Sequence, residues 1–226
     1  DANGGLTGIE NLTGLEKLWL DDNPLIADIS LLKNLTSLTE LSLKGCTGIQ
    51  QQNIWPMRRL YNLEVLDLSG CTQLNSLNRL LIDPCPSSGA DYLYLSSLRE
   101  LNLTGCSGLT RCGTSILGHM DLSNLEKLYI SGCTGIQSLD CLVLNTTLGA
   151  GTTIYANDLN WTAYPDIKQD IVCLRSERLV TVETNCSDLP ASCVNHNPVC
   201  REDCPVLHDQ YWNCSPAGCA DDPDCP

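Results

Sequence analysis

The chain predicts an α/β solenoid: a right-handed superhelix with a face of short parallel strands, ending in a disulfide-rich tail. Three observations carry this reading. One apolar pattern, LxxLxLxx(N/C), is written five times, at Leu15–Leu18–Leu20–Asn23, Leu38–Leu41–Leu43–Cys46, Leu63–Leu66–Leu68–Cys71, Leu98–Leu101–Leu103–Cys106 and Leu125–Leu128–Ile130–Cys133. The copies step by 23, 25, 35 and 27 residues, about the length of one strand and one return segment. Of the 15 cysteines, four recur at the last position of this pattern and six crowd into a tail with hardly an aliphatic residue.

The pattern is the signature of the leucine-rich repeat. A single repeat cannot bury its apolar face, so neighbours must stack into one continuous core. A second motif, xLxxL, precedes each strand: Asn11–Leu15, Asn34–Leu38, Arg59–Leu63, Tyr94–Leu98 and Asp121–Leu125. A faded sixth copy is read at Gly149, Thr152, Ile154 and Asn157. The long step of 35 residues carries an insertion near 83–92, around Asp83-Pro84-Cys85-Pro86. This insertion is expected to bulge as a loop away from the strands. Residues 1–147 are therefore assigned to the repeats, the first of them truncated.

The two ends differ. Asp1-Ala2-Asn3 aligns with Asp21-Asp22-Asn23, so the chain opens at the end of a repeat whose own strand is missing. Either more protein precedes Asp1 or something else covers this edge, and Leu6, Ile9 and Leu12 are the expected assembly contacts. Residues 148–190 read as a degenerate last repeat and cap, with strands around Asp170–Cys173 and Arg178–Glu183. Residues 191–226 form a tail too poor in apolar residues to build a core, so disulfides are expected to hold it.

Cys46, Cys71, Cys106 and Cys133 occupy the inward Asn/Cys position of the repeat and are expected to remain thiols that cap backbone groups. Cys193, Cys200, Cys204, Cys214, Cys219 and Cys225 suggest three tail disulfides. Cys85, Cys112, Cys141, Cys173 and Cys186 are left, an odd number that leaves one thiol free or bonded to another chain. Cys85–Cys112 and a cap bridge among Cys141, Cys173 and Cys186 are favoured. Sequons at Asn11, Asn34, Asn102, Asn145, Asn160, Asn185 and Asn213 point the same way, to an oxidising secretory route and N-linked glycans. Asn11, Asn34 and Asn145 share one phase of the repeat and are expected to project from one flank. An extracellular or cell-surface glycoprotein is the resulting expectation.

No stretch is long and apolar enough to span a membrane. A net charge of −14 argues against nucleic acid, which requires basic stripes. Alternation places three columns of side chains outward on the strand face. The first is Lys17, Glu40, Val65, Glu100, Lys127. The second is Trp19, Ser42, Asp67, Asn102, Tyr129, Thr153, and the third is Asp21, Lys44, Ser69, Thr104, Ser131, Tyr155. Lys17 beside Glu40 and Glu100 beside Lys127 suit cross-strand pairing. Trp19, Asp67, Tyr129 and Tyr155 are the binding candidates, and a glycan on Asn102 would stand in the middle of this face.

Enzymatic constellations are absent from the sequence: there is no nucleophile elbow, phosphate loop or His-Glu-x-x-His, and no cofactor is expected. His196 lies near Cys193, Cys200 and Cys204 at a spacing that holds zinc in cytosolic proteins. In an oxidised chain disulfides take precedence. Asp221, Asp222 and Asp224 are interrupted by Pro223 and read as solvated acid, so no metal site is assigned.

The chain resembles extracellular leucine-rich-repeat proteins. Its Asn-Leu-Thr-x-Leu-x-x-Leu repeats look like the internalin type, and its Leu-x-Leu-x-Gly-Cys-Thr/Ser repeats resemble the cysteine-containing type of surface proteins in microbial eukaryotes. The resemblance covers about residues 1–157 and implies recognition, adhesion or assembly. Two functions compete, and the uncapped start, the odd cysteine, the stapled tail and the sequon load favour the first. One is a structural subunit that adds head to tail, uncapped N-terminal edge against C-terminal cap or tail, into a filament or matrix. The other is a receptor or adhesin ectodomain that binds a protein or glycan on its strand face.

Overall fold

The structure, a computed structural model, describes residues 6–80, 95–110 and 115–193. Seven strands of three residues each form one sheet: β1 (Lys17–Trp19), β2 (Glu40–Ser42), β3 (Val65–Asp67), β4 (Glu100–Asn102), β5 (Lys127–Tyr129), β6 (Thr153–Tyr155) and β7 (Thr181–Glu183). They lie in chain order, every neighbouring pair parallel. The signature explains their brevity. Each strand is one inward residue between two outward ones, and the following LxxN/C turn carries the chain into the return.

The central leucines Leu41, Leu66, Leu101 and Leu128 are completely buried, as are Leu43, Leu68 and Leu103 beyond them. Most returns are single 3₁₀ turns, such as Ile9–Asn11, Ser30–Asn34 and Trp55–Arg59, because a period near 25 residues leaves little room for a longer helix. Two α-helices occur among the described residues, α1 (Asp140–Leu144) and α2 (Asp166–Glu177).

Two ladders run along the turns. Gly45, Gly70, Gly105 and Gly132 adopt φ between 70 and 72°, a left-handed conformation natural to glycine. The geometry aims each amide at the next repeat, Gly45 N–H at Ser69 O and Gly70 N–H at Thr104 O, at 2.7 and 2.8 Å. Asp22 and Asp158 adopt the same conformation at the ends, φ 57 and 53°. The thiols point the opposite way. Cys46, Cys71, Cys106 and Cys133 donate back to the carbonyls of Leu20, Leu43, Leu68 and Leu103 at 3.0, 3.3, 3.0 and 2.9 Å. All four are free and buried. Burial pushes the thiols up, Cys71 and Cys133 to about 12, so they are poor nucleophiles.

Three expectations need correction. The sixth copy is shifted by two residues: Ile154, not Thr152, pairs with Leu128, and Ala156 and Leu159 follow it into the core. Tyr155 therefore belongs to the second column beside Tyr129, and Thr153 to the first. A shift of two keeps the same side chains inward, so alternation alone does not detect it. The segment read as a strand around Asp170–Cys173 lies within α2, whose buried residues Ile167, Asp170, Ile171 and Leu174 follow the helical i, i+3, i+4, i+7 spacing. The strand expected within Arg178–Glu183 is β7.

The third correction concerns disulfides. Cys173 pairs with Cys193, not with Cys141 or Cys186, and ties α2 to the start of the tail. Cys186 is a free thiol, while Cys141 is disulfide-bonded. The expectations for the 83–92 insertion, Cys85, Cys112, Cys200, Cys204, Cys214, Cys219, Cys225 and Asn213 lie outside the described residues.

Candidate recognition face

The strand register sets out the face. The second column runs Trp19, Ser42, Asp67, Asn102, Tyr129, Tyr155 and Glu183, one residue per strand. Tyr129 and Tyr155 stack with ring centroids 4.5 Å apart and planes 8° from parallel. Direct opposition on adjacent parallel strands produces this, and stacking of this kind is worth about 0.5–1.5 kcal/mol beyond area burial. Burial, reinforced by Glu100, raises the Tyr129 hydroxyl pKa.

Four strands away, Trp19 is 56 % exposed and its indole N–H donates to Glu40 Oε1 at 2.9 Å. The other Glu40 oxygen pairs with Lys17 at 3.0 Å. The Lys17 hydrogen bond is the main reason the Glu40 carboxyl titrates below its usual range. At about 4.8 Å per strand, Trp19 and Tyr129 stand roughly 19 Å apart.

Between the aromatics the face is polar and internally bonded. Asn102 Nδ2 donates to Asp67 Oδ2 at 3.0 Å, and Asn102 Oδ1 accepts the Thr104 amide at 3.0 Å. Asp67 Oδ1 accepts the Ser69 amide at 2.7 Å, and the Ser42 hydroxyl donates to Asp21. In the first column Lys127 donates to Glu100 at 3.2 Å, which raises the lysine pKa. Along the rim Arg99 bridges Glu126 at 2.6 Å and Glu64 at 3.6 Å. These surface pairs are individually weak, but they hold the long side chains of the face in place. Glu183, at the β7 end of the column, extends it beyond the residues singled out by sequence. Its signal was the Thr181-Val182-Glu183 alternation.

The other expected sites disperse. Asn11, Asn34, Asn160 and Asn185 are exposed, and Asn185 binds Asp158 through both amide atoms at 2.6 and 3.0 Å. Asn145 is only 1 % exposed. Both protons of its amide are taken by the carbonyls of Leu117 and Met120, at 2.6 and 2.9 Å. A glycan on Asn145 has no place in this fold, so it does not project with Asn11 and Asn34 as expected. The two-residue shift of the sixth copy is the cause: Asn11 and Asn34 stand about seven residues before the strand centres Leu18 and Leu41, Asn145 about nine before Ile154, so Asn145 is out of their phase. At the N-terminal edge Leu6 joins the core cluster and Ile9 packs against it, while Leu12 remains 53 % exposed. Leu6 is therefore no free assembly contact. Glu177 lies beside Cys173 and Cys193, but their sulfurs are joined to each other and do not form a metal centre.

No family model matches the chain. Over 103 residues it is 36 % identical to Tsukushi of Gallus gallus, a stretch that is 44 % of this chain and 25 % of that protein. The chain thus spans about a quarter of the length of that relative. Among solved structures it is similar to an internalin (inlF) of Listeria monocytogenes, at 23 % identity and TM-score 0.53, covering 78 % of this chain and 42 % of that one. It is also similar to internalin C2 (inlC2) of the same organism, at 26 % identity and TM-score 0.51, covering 78 % and 74 %. No described helix is long and apolar enough to cross a membrane. Signature, sheet and likenesses agree that the chain is a leucine-rich-repeat protein of internalin-like build.

Proposed function

We propose that this protein is a non-enzymatic, extracellular recognition module that binds an extended protein partner across its strand face. The observation that carries this reading is the second column, with the Tyr129–Tyr155 stack near one end, exposed Trp19 at the other and the Asp67–Asn102 hydrogen bond between them. Aromatic anchors roughly 19 Å apart exceed the span of one sugar ring and suit a polypeptide that crosses several strands. The exposed sequons Asn11, Asn34, Asn160 and Asn185 support a glycosylated, secreted chain.

The test is a binding screen of the native, unreduced protein against a panel of purified extracellular proteins. Trp19→Ala and Tyr155→Ala are expected to abolish a specific interaction that Tyr61→Ala, at an exposed residue off the strand face, leaves intact. A bound partner indifferent to both face variants overturns the reading. So does a glycan fully occupying Asn102 in protein that still binds.

A second reading, head-to-tail self-assembly into a filament or matrix, is favoured by one observation. Leu15, Leu18 and Leu20 of the first repeat are only partly buried, whereas the equivalent Leu38, Leu41 and Leu43 are completely buried. A second copy or a preceding stretch of chain would complete this layer. Regular fibres in negative stain, lost on Leu18→Glu, support it, and a monodisperse monomer at high concentration rejects it.

A further inference from the structure

Tyr129, Tyr155 and Glu183 stand in register on the last three parallel strands of the sheet. The Tyr155 ring lies against Tyr129, with centroids 4.5 Å apart and planes 8° from parallel. Its opposite face is therefore turned to β7, one strand spacing of about 4.8 Å from the Glu183 backbone. Among the described residues that face meets no second ring, and the cation–ring contacts are at Trp55.

Charge singles out Glu183. The second column holds no cation and two carboxylates, Asp67 and Glu183. Both Asp67 oxygens are occupied, by the Ser69 amide at 2.7 Å and the Asn102 amide at 3.0 Å. Glu183 is exposed and forms no ion pair among the described residues. The cations of this end are engaged elsewhere. Lys127 donates to Glu100 at 3.2 Å, and Arg175 reaches the Val182 carbonyl at 2.6 Å. Asp158, bonded to Asn185 at 2.6 Å just past β6 and β7, adds a further negative charge.

We propose that the Tyr155 ring and the Glu183 carboxylate form a subsite for an arginine side chain of the partner. The proposal rests on the strand face being the recognition surface and names the chemistry expected at this end of it. The face of a tyrosine ring attracts cations, and the neighbouring carboxylate adds to that attraction. A net charge of −14 draws a basic segment towards the chain. Guanidinium suits the site better than ammonium. It is flat, so it continues the parallel stack, and its paired N–H groups meet both carboxylate oxygens. Trp19 offers no equivalent site, because Lys17 and the indole N–H already share Glu40. The partner is thus expected to present an arginine at the β7 end and an apolar residue at the β1 end.

The test uses N-acetyl-arginine amide as probe, titrated into the full, disulfide-intact chain and followed by backbone amide shifts. Saturable shifts are expected at residues 153–155 and 181–183, weakening as salt rises. Glu183→Gln is expected to weaken binding about two- to fivefold. Glu16→Gln, which removes the same charge from an exposed residue at the β1 end, is expected to change nothing, as is Trp19→Ala. No saturable shift, binding indifferent to Glu183→Gln, or equal binding of neutral N-acetyl-citrulline amide overturns the subsite. So does equal binding of N-acetyl-lysine amide, or a preference for N-acetylglucosamine. None of these outcomes removes the recognition face itself, which is decided by a protein partner's response to Trp19→Ala and Tyr155→Ala.

Discussion

The two ends of the described sheet face the same problem and meet it differently. Beyond β7 no further repeat stacks among the described residues. The chain covers that end with α2, whose Ile167, Ile171 and Leu174 are completely buried. Arg175 meets the carbonyl of Val182 on β7 at 2.6 Å, and Cys173–Cys193 fastens the start of the tail to the helix. Val182 is 4 % exposed as a result. At the other end β1 is repeat sequence without a departure from the pattern. Its leucines are only partly buried, and Leu25 nearby is 88 % exposed. A repeat makes a good neighbour and a poor terminus, because its two lateral faces are both apolar. Only sequence that breaks the period can close the stack.

The largest test of this contrast is a pair of truncations. Leu66→Ala, inside the stack, is expected to cost about 2–5 kcal/mol in urea denaturation. Leu18→Ala, already half open, is expected to cost less than half of that. Equal costs would mean that β1 is covered in solution. Next comes the cap. Cys193→Ser, which opens a loop with sequence separation 20, is expected to lower stability by about 2–4 kcal/mol. The loss should show first as exchange in α2 and should spare β1.

Arg175→Ala is expected to have a smaller effect, about 1 kcal/mol, since water reaches part of the freed Val182 carbonyl. Its signature would be faster exchange confined to β7 and α2. The smallest expected effect on stability is chemical. Under native conditions a thiol reagent is expected to modify Cys186 and leave Cys46, Cys71, Cys106 and Cys133 untouched until unfolding. The ladder thiols keep their protons in the folded state at pH values where unfolded cysteines ionise. Their contribution is therefore intact below about pH 8.5 and lost as pH rises towards the folded values of about 12 for Cys71 and Cys133. Native modification of any one ladder cysteine, read by peptide mapping, would contradict this.

Much of this was legible in the amino-acid order. Strand positions, inward leucines, the unpaired ladder cysteines and the charge pairs Lys17–Glu40 and Glu100–Lys127 all come from a period repeated many times, in which each copy corrects the reading of the next. The recognition face was legible through β5 and slipped at β6, where Gly149 and Gly151 leave too few apolar markers to choose between registers two residues apart. In α2, the β-branched Ile171 and Val172 spoke for a strand, against the wider helical spacing of Ile167, Ile171 and Leu174.

By itself, then, the sequence determined which side chains point inward and which outward along most of the solenoid, because that depends on local alternation and on contacts one repeat away. Tertiary structure alone decided that Tyr155 stacks on Tyr129, that Asn145 is buried and that Cys173 bonds Cys193. Each of these is a meeting set by a departure from the signature, in the register of the sixth copy or in the cap beyond it. Such a meeting depends on where helices start and on how the chain turns between them, and no periodic pattern records that.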